Sequence, residues 1–240
     1  MRYPKRIRWS HVRRLYEMVE PSLKAAPLKL SSPNRGKVLV IAPHIDDDVI
    51  GAGGSIRKHV TSGDPVTVLY LSDCTEERRR EAQESAEVIG VEDLRFFEYS
   101  SKTLLEQRDL SERIDDIIKE VRPDIVYVPS LFDRHNDHLA VNHLLMALAG
   151  EKGYHMTVCG YEVWTTLVPN LIVDISDTVE KKREALACYR SQLSSNNWLE
   201  AAISLNRYRG VSSGAGMYAE GFMRYSMREY SALWKRVYAR

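Results

Sequence analysis

The chain has 240 residues, of which 44% are hydrophobic and 28% are charged, and this composition excludes a disordered chain or a small disulfide-stabilised protein. Its length fits one domain with a sizeable core. The formal net charge is +1, so the molecule as a whole lacks the electrostatic field that attracts nucleic acid, and no nucleic-acid partner is expected.

Positive charge is concentrated at the N-terminus, where residues 1–37 carry ten Lys and Arg side chains against Glu17 and Glu20. We therefore predict a basic arm over residues 1–36 and a domain over residues 37–240, and assign any contact with a membrane surface to the arm. The chain has no run of ~18 apolar residues and no signal-peptide pattern. Three widely spaced cysteines favour a reducing compartment, so a cytoplasmic location is expected.

From residue 37 onward, short runs of β-branched and aromatic residues alternate with segments of helical length. Strands are predicted over residues 37–42, 66–71, 94–99 and 125–129, and helices over residues 51–61, 76–89 and 102–121. This order predicts an α/β fold with a Rossmann-like, doubly wound, mostly parallel sheet in a single domain.

The C-terminal portion is less regular than the rest of the chain. Strands are predicted over residues 157–164 and 171–175, and a helix over residues 178–192. Residues 194–221 contain clusters of Ser, Asn and Gly, which indicate a loop-rich segment.

Two clusters of polar residues carry the chemistry. His44 precedes the adjacent carboxylates Asp46, Asp47 and Asp48 at the end of the first strand, and such carboxylates repel one another unless a cation lies between them. A second cluster, residues 133–138, follows the fourth strand, and in a doubly wound sheet both loops open onto one crevice. Imidazole and carboxylate donors without thiolates match a catalytic zinc site that retains a position for water, so hydrolysis is predicted.

The two clusters resemble the signature motifs of the LmbE-like or PIG-L-type zinc-dependent N-deacetylases. Residues 44–48, HIDDD, are similar to the family's His-Pro-Asp-Asp-Glu motif, and residues 135–138, HNDH, to its His-Pro-Asp-His motif. Shorter similarities over residues 51–55, 78–81, 161–164, 189–192 and 218–222 extend the resemblance to about residues 37–225. It implies a hydrolase that removes an N-acetyl group from an N-acetylglucosamine-type or related amino-sugar conjugate, and it leaves the individual substrate open.

The resemblance also implies a role for each matching residue. Zinc would be held by His44, Asp47 and His138, Asp46 would be the general base, and His135 would stabilise the tetrahedral intermediate. Four further residues are expected around this set, Arg78 and Arg134 as contacts to substrate and Asp48 and Asp137 as partners of the ligands.

The chain departs from the family motifs at Ile45, Asp48 and Asn136. Ile45 and Asn136 replace prolines that carry no ligand atom, so they affect the stiffness of the loops. Asp48 replaces a glutamate and is one methylene shorter, which changes the partners that its carboxylate reaches.

Two other functions stay open. Residues 46–50 also fit the Asp-x-Asp-x-(Thr/Val/Ile) pattern of magnesium-dependent phosphatases with an aspartyl nucleophile, although that function leaves His135 and His138 unused. The departures from the motifs are also compatible with a zinc- or sugar-binding relative that has lost turnover. A homo-oligomer is a further expectation, and His11, His59, His143 and His155 are interpreted as surface residues.

Overall fold

A computed structural model describes residues 27–238 of the chain, and these residues form one α/β domain. The basic arm therefore lies outside the described residues except for its last ten positions. The strands are β1 (Leu28–Leu30), β2 (Val38–Ala42), β3 (Val66–Ser72), β4 (Asp93–Tyr99), β5 (Ile125–Pro129), β6 (Thr157–Tyr161), β7 (Leu171–Asp174) and β8 (Ala219–Ser226). The helices are α1 (Asp47–Thr61), α2 (Glu76–Ile89), α3 (Leu110–Val121), α4 (Asn136–Lys152), α5 (Val179–Ala187), α6 (Arg190–Leu193), α7 (Trp198–Ser213) and α8 (Met227–Tyr238), with a short 3₁₀ helix at Leu104–Glu106.

The eight strands form one mixed sheet in the order β1-β7-β8-β6-β5-β2-β3-β4. Strand β2 pairs in parallel with both β3 and β5, so the chain winds outward from β2 in two directions. Only β8 runs antiparallel to its neighbours, β6 and β7. The doubly wound, mostly parallel α/β fold predicted from the sequence is therefore confirmed, and its topological switch point lies beside β2.

Helices cover both faces of the sheet, as the alternating side chains of β2 show. Val38 and Val40 point into a core formed with α1, α2, α5 and α7. Leu39 and Ile41 point into a second core formed with α3, α4 and α8. All four side chains are fully buried, which is why the sequence of β2 is continuously apolar.

The segment 194–221 was predicted to be rich in loops, and this prediction is wrong, because the segment holds α7 and the start of β8. The side chain of Asn197 accepts a hydrogen bond from the backbone N–H of Glu200 at the start of α7. Gly214 ends the helix with a left-handed conformation, φ 66°. The Asn and Gly clusters that suggested loops are thus the two caps of a 16-residue helix.

Several predicted boundaries also shift. Helix α1 begins at Asp47, four residues before the predicted start, and β6 ends at Tyr161. The helix predicted over residues 178–192 divides into α5 and α6, and the one over residues 102–121 shortens to α3. Helix α4 was not predicted. Strand β1 lies within the segment assigned to the basic arm and pairs with β7.

His59 was interpreted as a surface residue, and this interpretation is wrong. Its ring is fully buried, with Nδ1 2.8 Å from Oδ2 of Asp64 and Nε2 3.1 Å from the hydroxyl of Tyr127. Burial lowers the pKa of His59 despite the neighbouring carboxylate, so the ring is a neutral link between α1 and β5. His143 and His155 are exposed, as predicted. Within residues 27–238, no helix has the length and apolar character that crossing a bilayer requires.

Candidate metal centre and active site

The fold brings the two polar clusters together at the carboxyl edge of the sheet. His44 and Asp46 follow β2, and Asp47 occupies the first turn of α1. His135 caps the N-terminus of α4, and His138 lies in its first turn. The rings of His44 and His138 lie 5.4 Å apart between centroids, although 93 residues separate them in the chain.

Three side-chain atoms from these clusters converge on one point. Oδ2 of Asp47 lies 3.0 Å from Nδ1 of His44 and 3.2 Å from Nε2 of His138. The two ring nitrogens lie 3.4 Å from each other. One nitrogen of His135 joins the same neighbourhood, because the nitrogens of His44, His135 and His138 all lie within 4.8 Å of one another.

The opposite nitrogen of each of the two closest histidines faces a buried carboxylate. Nε2 of His44 lies 3.1 Å from Oδ2 of Asp137, which also accepts a hydrogen bond from the backbone N–H of Lys102 at 2.7 Å. Nδ1 of His138 lies 3.2 Å from Oδ2 of Asp133, without the geometry of a regular hydrogen bond. Carboxylates in such positions orient the rings of metal-binding histidines. Asp133 was not predicted, although its place in the DRHNDH segment was a signal.

The electrostatics of the cluster favour charged rings beside a charged carboxylate. Burial disfavours the imidazolium form, but Asp47 and Asp137 outweigh it and raise the pKa of His44 to about 10. Asp47 and Asp133 likewise raise the pKa of His138 to about 9 against the effect of burial. The rings of His138 and His44 in turn hold the pKa of Asp47 well below its usual range, although burial opposes this. The cluster thus presents an ionised carboxylate to positive charge.

Asp46 has a different environment from its neighbour. It occupies the N-cap position of α1, yet its side chain makes no capping hydrogen bond and lines the cavity. Burial, assisted by repulsion from Asp47, raises the pKa of Asp46 to about 7. A carboxyl group that titrates near neutrality beside a set of candidate metal ligands is suited to accept and return a proton.

His135 is held in a defined tautomer. Its Nδ1 accepts a hydrogen bond from the backbone N–H of Asp137 at 3.3 Å, so the proton of the neutral ring lies on Nε2. Burial, together with His44 and His138, lowers the pKa of His135. The ring stands edge-on to His44 and lines the cavity.

The two predicted arginines lie in different places. Arg78 lines the cavity, where Nη1 donates to the backbone oxygen of Asp73 at 3.4 Å. When the side-chain amide of Gln192 is oriented with its oxygen toward Arg78, that oxygen accepts hydrogen bonds from Nε and Nη2 of Arg78, at 2.7 and 3.1 Å. The side chain of Arg134 is exposed and does not line the cavity.

Comparison with known proteins identifies the family. The model of the PIG-L family, described as GlcNAc-PI de-N-acetylase, matches residues 39–149. A diacetylchitobiose deacetylase of Thermococcus kodakarensis is 30% identical, over 77% of this chain and 81% of the relative. The chain belongs to the PIG-L (LmbE-like) family. The resemblance noted in the two histidine motifs is therefore confirmed.

Two further relatives show the range of the PIG-L family. The structure of the N,N'-diacetylchitobiose deacetylase of Pyrococcus horikoshii, in complex with an inhibitor, has a TM-score of 0.69 and 25% identity, covering 95% of this chain and 97% of that one. A 4-oxalmesaconate hydratase of Pseudomonas putida is 26% identical, over 80% of this chain and 90% of the relative. The relatives of this chain thus include deacetylases and a protein named as a hydratase.

Asp48 stands where the motif given above for the family has a glutamate. Its Oδ2 accepts a hydrogen bond from the hydroxyl of Tyr70 at 2.9 Å, while Oδ1 has no hydrogen-bond partner. The nearby hydroxyls of Ser85 and Tyr189 also lack one. Burial raises the pKa of Asp48 to about 7, and the one hydrogen bond of this carboxyl is to Tyr70 of β3.

The glycine-rich start of α1, typical of the PIG-L family, allows close packing with the C-terminal portion. A Cβ on Gly51 would lie 2.2 Å from Cδ2 of Tyr161, and one on Gly54 would lie 2.7 Å from Ile175. Glu220 accepts hydrogen bonds from the backbone N–H groups of Gly54 and Ser55, and it pairs with Lys182 at 2.7 Å. The helix that carries Asp47 is therefore fixed by residues far along the chain.

Proposed function

We propose that the protein is a zinc-dependent hydrolase that removes an N-acetyl group from an N-acetylglucosamine-type or related amino-sugar conjugate, releasing acetate and a free amine. The observation that carries this proposal is the convergence of His44 Nδ1, Asp47 Oδ2 and His138 Nε2. Membership of the PIG-L family and the deacetylase relatives support the type of reaction.

The spacing of these three atoms fits zinc. Ligands about 2.0–2.1 Å from a tetrahedral zinc ion lie about 3.3 Å from one another. The observed separations of 3.0, 3.2 and 3.4 Å approach that value. Two imidazoles and one carboxylate leave a fourth position for water, as in catalytic zinc sites. His135 is left out of the ligand set, because its Nδ1 is engaged by the N-terminus of α4.

Asp46 is the residue of the site that we assign to proton transfer. Bound zinc would lower the pKa of a water molecule and polarise the acetamide carbonyl. The carboxylate of Asp46 accepts the proton from the attacking water, since its pKa lies close to neutrality and its side chain does not cap α1. Later Asp46 returns a proton to the departing amine.

His135 and Arg78 complete the site as donors. The Nε2–H of His135 donates to the oxygen that becomes negative in the tetrahedral intermediate. The guanidinium of Arg78, held by Gln192 and Asp73, binds a polar or acidic group of the substrate. Asp133 and Asp137 hold the two ligand rings in position.

Acetate release tests this proposal. The zinc-loaded protein is incubated with N-acetylglucosamine, its β-linked disaccharide and 1-O-conjugates of N-acetylglucosamine, and free amine and acetate are measured together. Equal amounts of both products from at least one substrate support the proposal. Turnover of 4-oxalmesaconate without acetate release would instead indicate a hydratase, and hydrolysis of phosphate esters with magnesium would indicate a phosphatase. Zinc and sugar binding without any turnover would indicate a relative that has lost catalysis.

Three expectations about the wider protein stay proposals. We infer a cytoplasmic location and a division into a basic arm, residues 1–36, and a catalytic domain, residues 37–240. A homo-oligomer is proposed as well. The charge of the arm supports a role in attachment or assembly, apart from the chemistry at His44 and His138.

A further inference from the structure

Trp164 is a large apolar side chain that stays half exposed beside the metal cluster. Its ring is 51% exposed and lines the same cavity as His44, Asp46 and Asp47. It stacks on the ring of His135, with 5.7 Å between centroids and 24° between planes. Trp198 supports it from the side in an edge-on contact at 4.8 Å. The part of the indole that is left exposed by these two contacts adds apolar surface to the lining of the cavity.

The backbone that carries Trp164 is fixed. The N–H of Trp164 donates to Oδ2 of Asp133 at 3.0 Å, the same oxygen that faces the ring of His138. A few residues on, the N–H of Leu167 donates to the carboxylate of Glu162 at 2.8 Å, and Glu162 pairs with the guanidinium of Arg209. Because the loop is already ordered, stacking a ligand on Trp164 costs little conformational entropy.

The cavity has an apolar side and a polar side, which follow from the strand order. Trp164 follows β6, on one side of β5 and β2, where the metal cluster lies. Asp73 and Ser101 follow β3 and β4, on the other side. Further polar side chains come from Arg78, Gln192, Ser195 and Asn196. A pyranose ring has the matching chemistry, because its C–H groups form an apolar face and its hydroxyls form a polar rim.

Distance from the metal cluster decides which ring of a substrate Trp164 would contact. The imidazole of His135 lies between the indole and His44, with its centroid 4.7 Å from His44 and 5.7 Å from Trp164. An acetamide whose carbonyl oxygen reaches the metal ligands keeps its own sugar ring close to His44 and Asp46. The face of Trp164 is therefore placed for the next ring along the substrate.

We propose that Trp164, supported by Trp198, binds a second sugar ring, so that the protein selects N-acetylated disaccharides or longer saccharides over the free monosaccharide. This inference rests on the proposed deacetylase function and names the substrate class for it. Trp164 acts through binding and takes no part in proton transfer.

Rates on two substrates of different length test the inference. kcat/KM is measured for N,N'-diacetylchitobiose and for N-acetylglucosamine with the wild type, Trp164→Ala, Trp164→Phe and Val168→Ala. Val168 is the matched control, because it lies in the same loop and is 91% exposed. Trp164→Ala should lower kcat/KM for the disaccharide about tenfold more than for the monosaccharide, the usual scale of an aromatic contact, because loss of the stack on His135 affects both substrates alike. Trp164→Phe should recover part of the loss, and Val168→Ala should match the wild type.

Zinc content and binding separate this inference from the proposed reaction. All four proteins should hold the same amount of zinc, which shows that the site is intact. Calorimetric titration of both sugars into zinc-loaded Asp46→Asn, with and without Trp164→Ala, measures affinity without turnover. If the wild type releases no acetate from either sugar, the proposed reaction is wrong, yet a Trp164-dependent preference for the disaccharide still supports this site. The inference would be overturned if the two sugars bound with equal affinity or if neither bound. It would also be overturned if Trp164→Ala lowered kcat/KM equally for both sugars.

Discussion

Asp46 and Asp47 are adjacent carboxylates whose pKa values move in opposite directions. Burial and the charge of Asp47 raise the pKa of Asp46 to about 7. Two imidazoles hold the pKa of Asp47 far below its usual range in spite of burial. One side chain therefore suits proton exchange and the other suits permanent ligation, and substitution should distinguish them.

The first prediction compares the variants in which each of these two aspartates is replaced by asparagine. Asp47→Asn should lose zinc and activity together, because a neutral amide is a poor ligand for a divalent cation. Asp46→Asn should keep zinc, while kcat falls by about 10² to 10⁴, the usual contribution of a positioned general base. Zinc stoichiometry and acetate release are measured on both variants in parallel. Near-full turnover by Asp46→Asn, or zinc retained by Asp47→Asn alone, would show that the roles are assigned wrongly.

The second prediction concerns the pH dependence of zinc binding. The folded-state pKa values of His44 and His138, about 10 and about 9, lie above their ordinary value of 6.5. In the zinc-free protein their protonation therefore stabilises the fold below about pH 6.5, and this contribution is lost as the pH rises through 9 to 10. Zinc must displace the same protons, so its stabilising effect should grow with pH.

Thermal unfolding with and without zinc measures this effect. The rise in Tm caused by zinc should be larger at about pH 8.5 than at about pH 6.5, because displacing the protons of the two imidazoles costs less free energy as the pH approaches their pKa values. His138→Ala serves as the control and should show little rise at either pH. An equal rise at both pH values would mean that these imidazoles are not the ligands.

At the scale of the element, α1 carries Asp47 and depends on glycines for its position. The third prediction is that Gly51→Ala lowers the free energy of unfolding by about 1–3 kcal/mol, as overpacked cores do. The new methyl group would lie 2.2 Å from Tyr161, whose buried hydroxyl donates to the backbone oxygen of Ile41 and cannot easily move.

A glycine in another helix provides the matched control for this substitution. Nothing lies within 4 Å of a Cβ at Gly150 in α4, so Gly150→Ala should stabilise the protein by about 0.5–1 kcal/mol through helix propensity. Urea unfolding measures both variants. If Gly51→Ala were as stable as Gly150→Ala, close packing would not be the reason for glycine at position 51.

The elements differ in how far their sequences predict them. Strands β2 to β5 were predictable because each is a short run rich in β-branched and aromatic residues, and Gly or Pro breakers lie near most of their ends. Helix α7 was not, because exposed Tyr208 and Val211 blur its apolar stripe, and its capping residues Asn197 and Gly214 resemble those of loops. Capping residues have the same side chains whether a turn or a helix follows, so composition alone could not separate the two.

Residues of the site that lie in short sequence motifs were predicted, and residues that reach the site from distant segments were not. His44, Asp47 and His138 lie in short motifs, so the sequence predicted residues that the structure brings within hydrogen-bond distance. The roles proposed for them stay predictions. Trp198 and Gln192 join the cavity only through the packing of α6 and α7 against it, and no spacing in the sequence indicated that contact. The predicted strand order showed that the two motifs meet at one site, whereas the packing of distant side chains such as Trp198 against that site could not be inferred from the sequence.

At the scale of the whole molecule, the N-terminal segment meets the sheet at β1. The fourth prediction compares a protein that begins at Pro27 with one that begins at Ser31, which lacks β1. Both should bind one zinc ion and release acetate at the wild-type kcat, because the residues proposed for the reaction begin at His44. Only the shorter protein leaves the edge of β7 without its parallel partner, so it should associate at high concentration.

Light scattering after gel filtration gives the mass of each truncated protein, and acetate release gives its turnover. The protein that begins at Pro27 is the control for loss of the arm alone. Loss of turnover in that protein would mean that residues 1–26 contribute to the catalytic site. The same mass for both proteins at every concentration would mean that β1 does not protect the sheet edge.

The buried pair formed by Lys182 and Glu220 has a consequence for synthesis of the chain on the ribosome. All three proposed zinc ligands have been translated once His138 is made, but α1 receives its contacts from Tyr161, Lys182 and Glu220 much later. A nascent chain that ends before β8 leaves the backbone of α1 without the carboxylate that binds Gly54 and Ser55. The contacts that fix α1, and with it the proposed ligand Asp47, are therefore complete only when translation has passed β8.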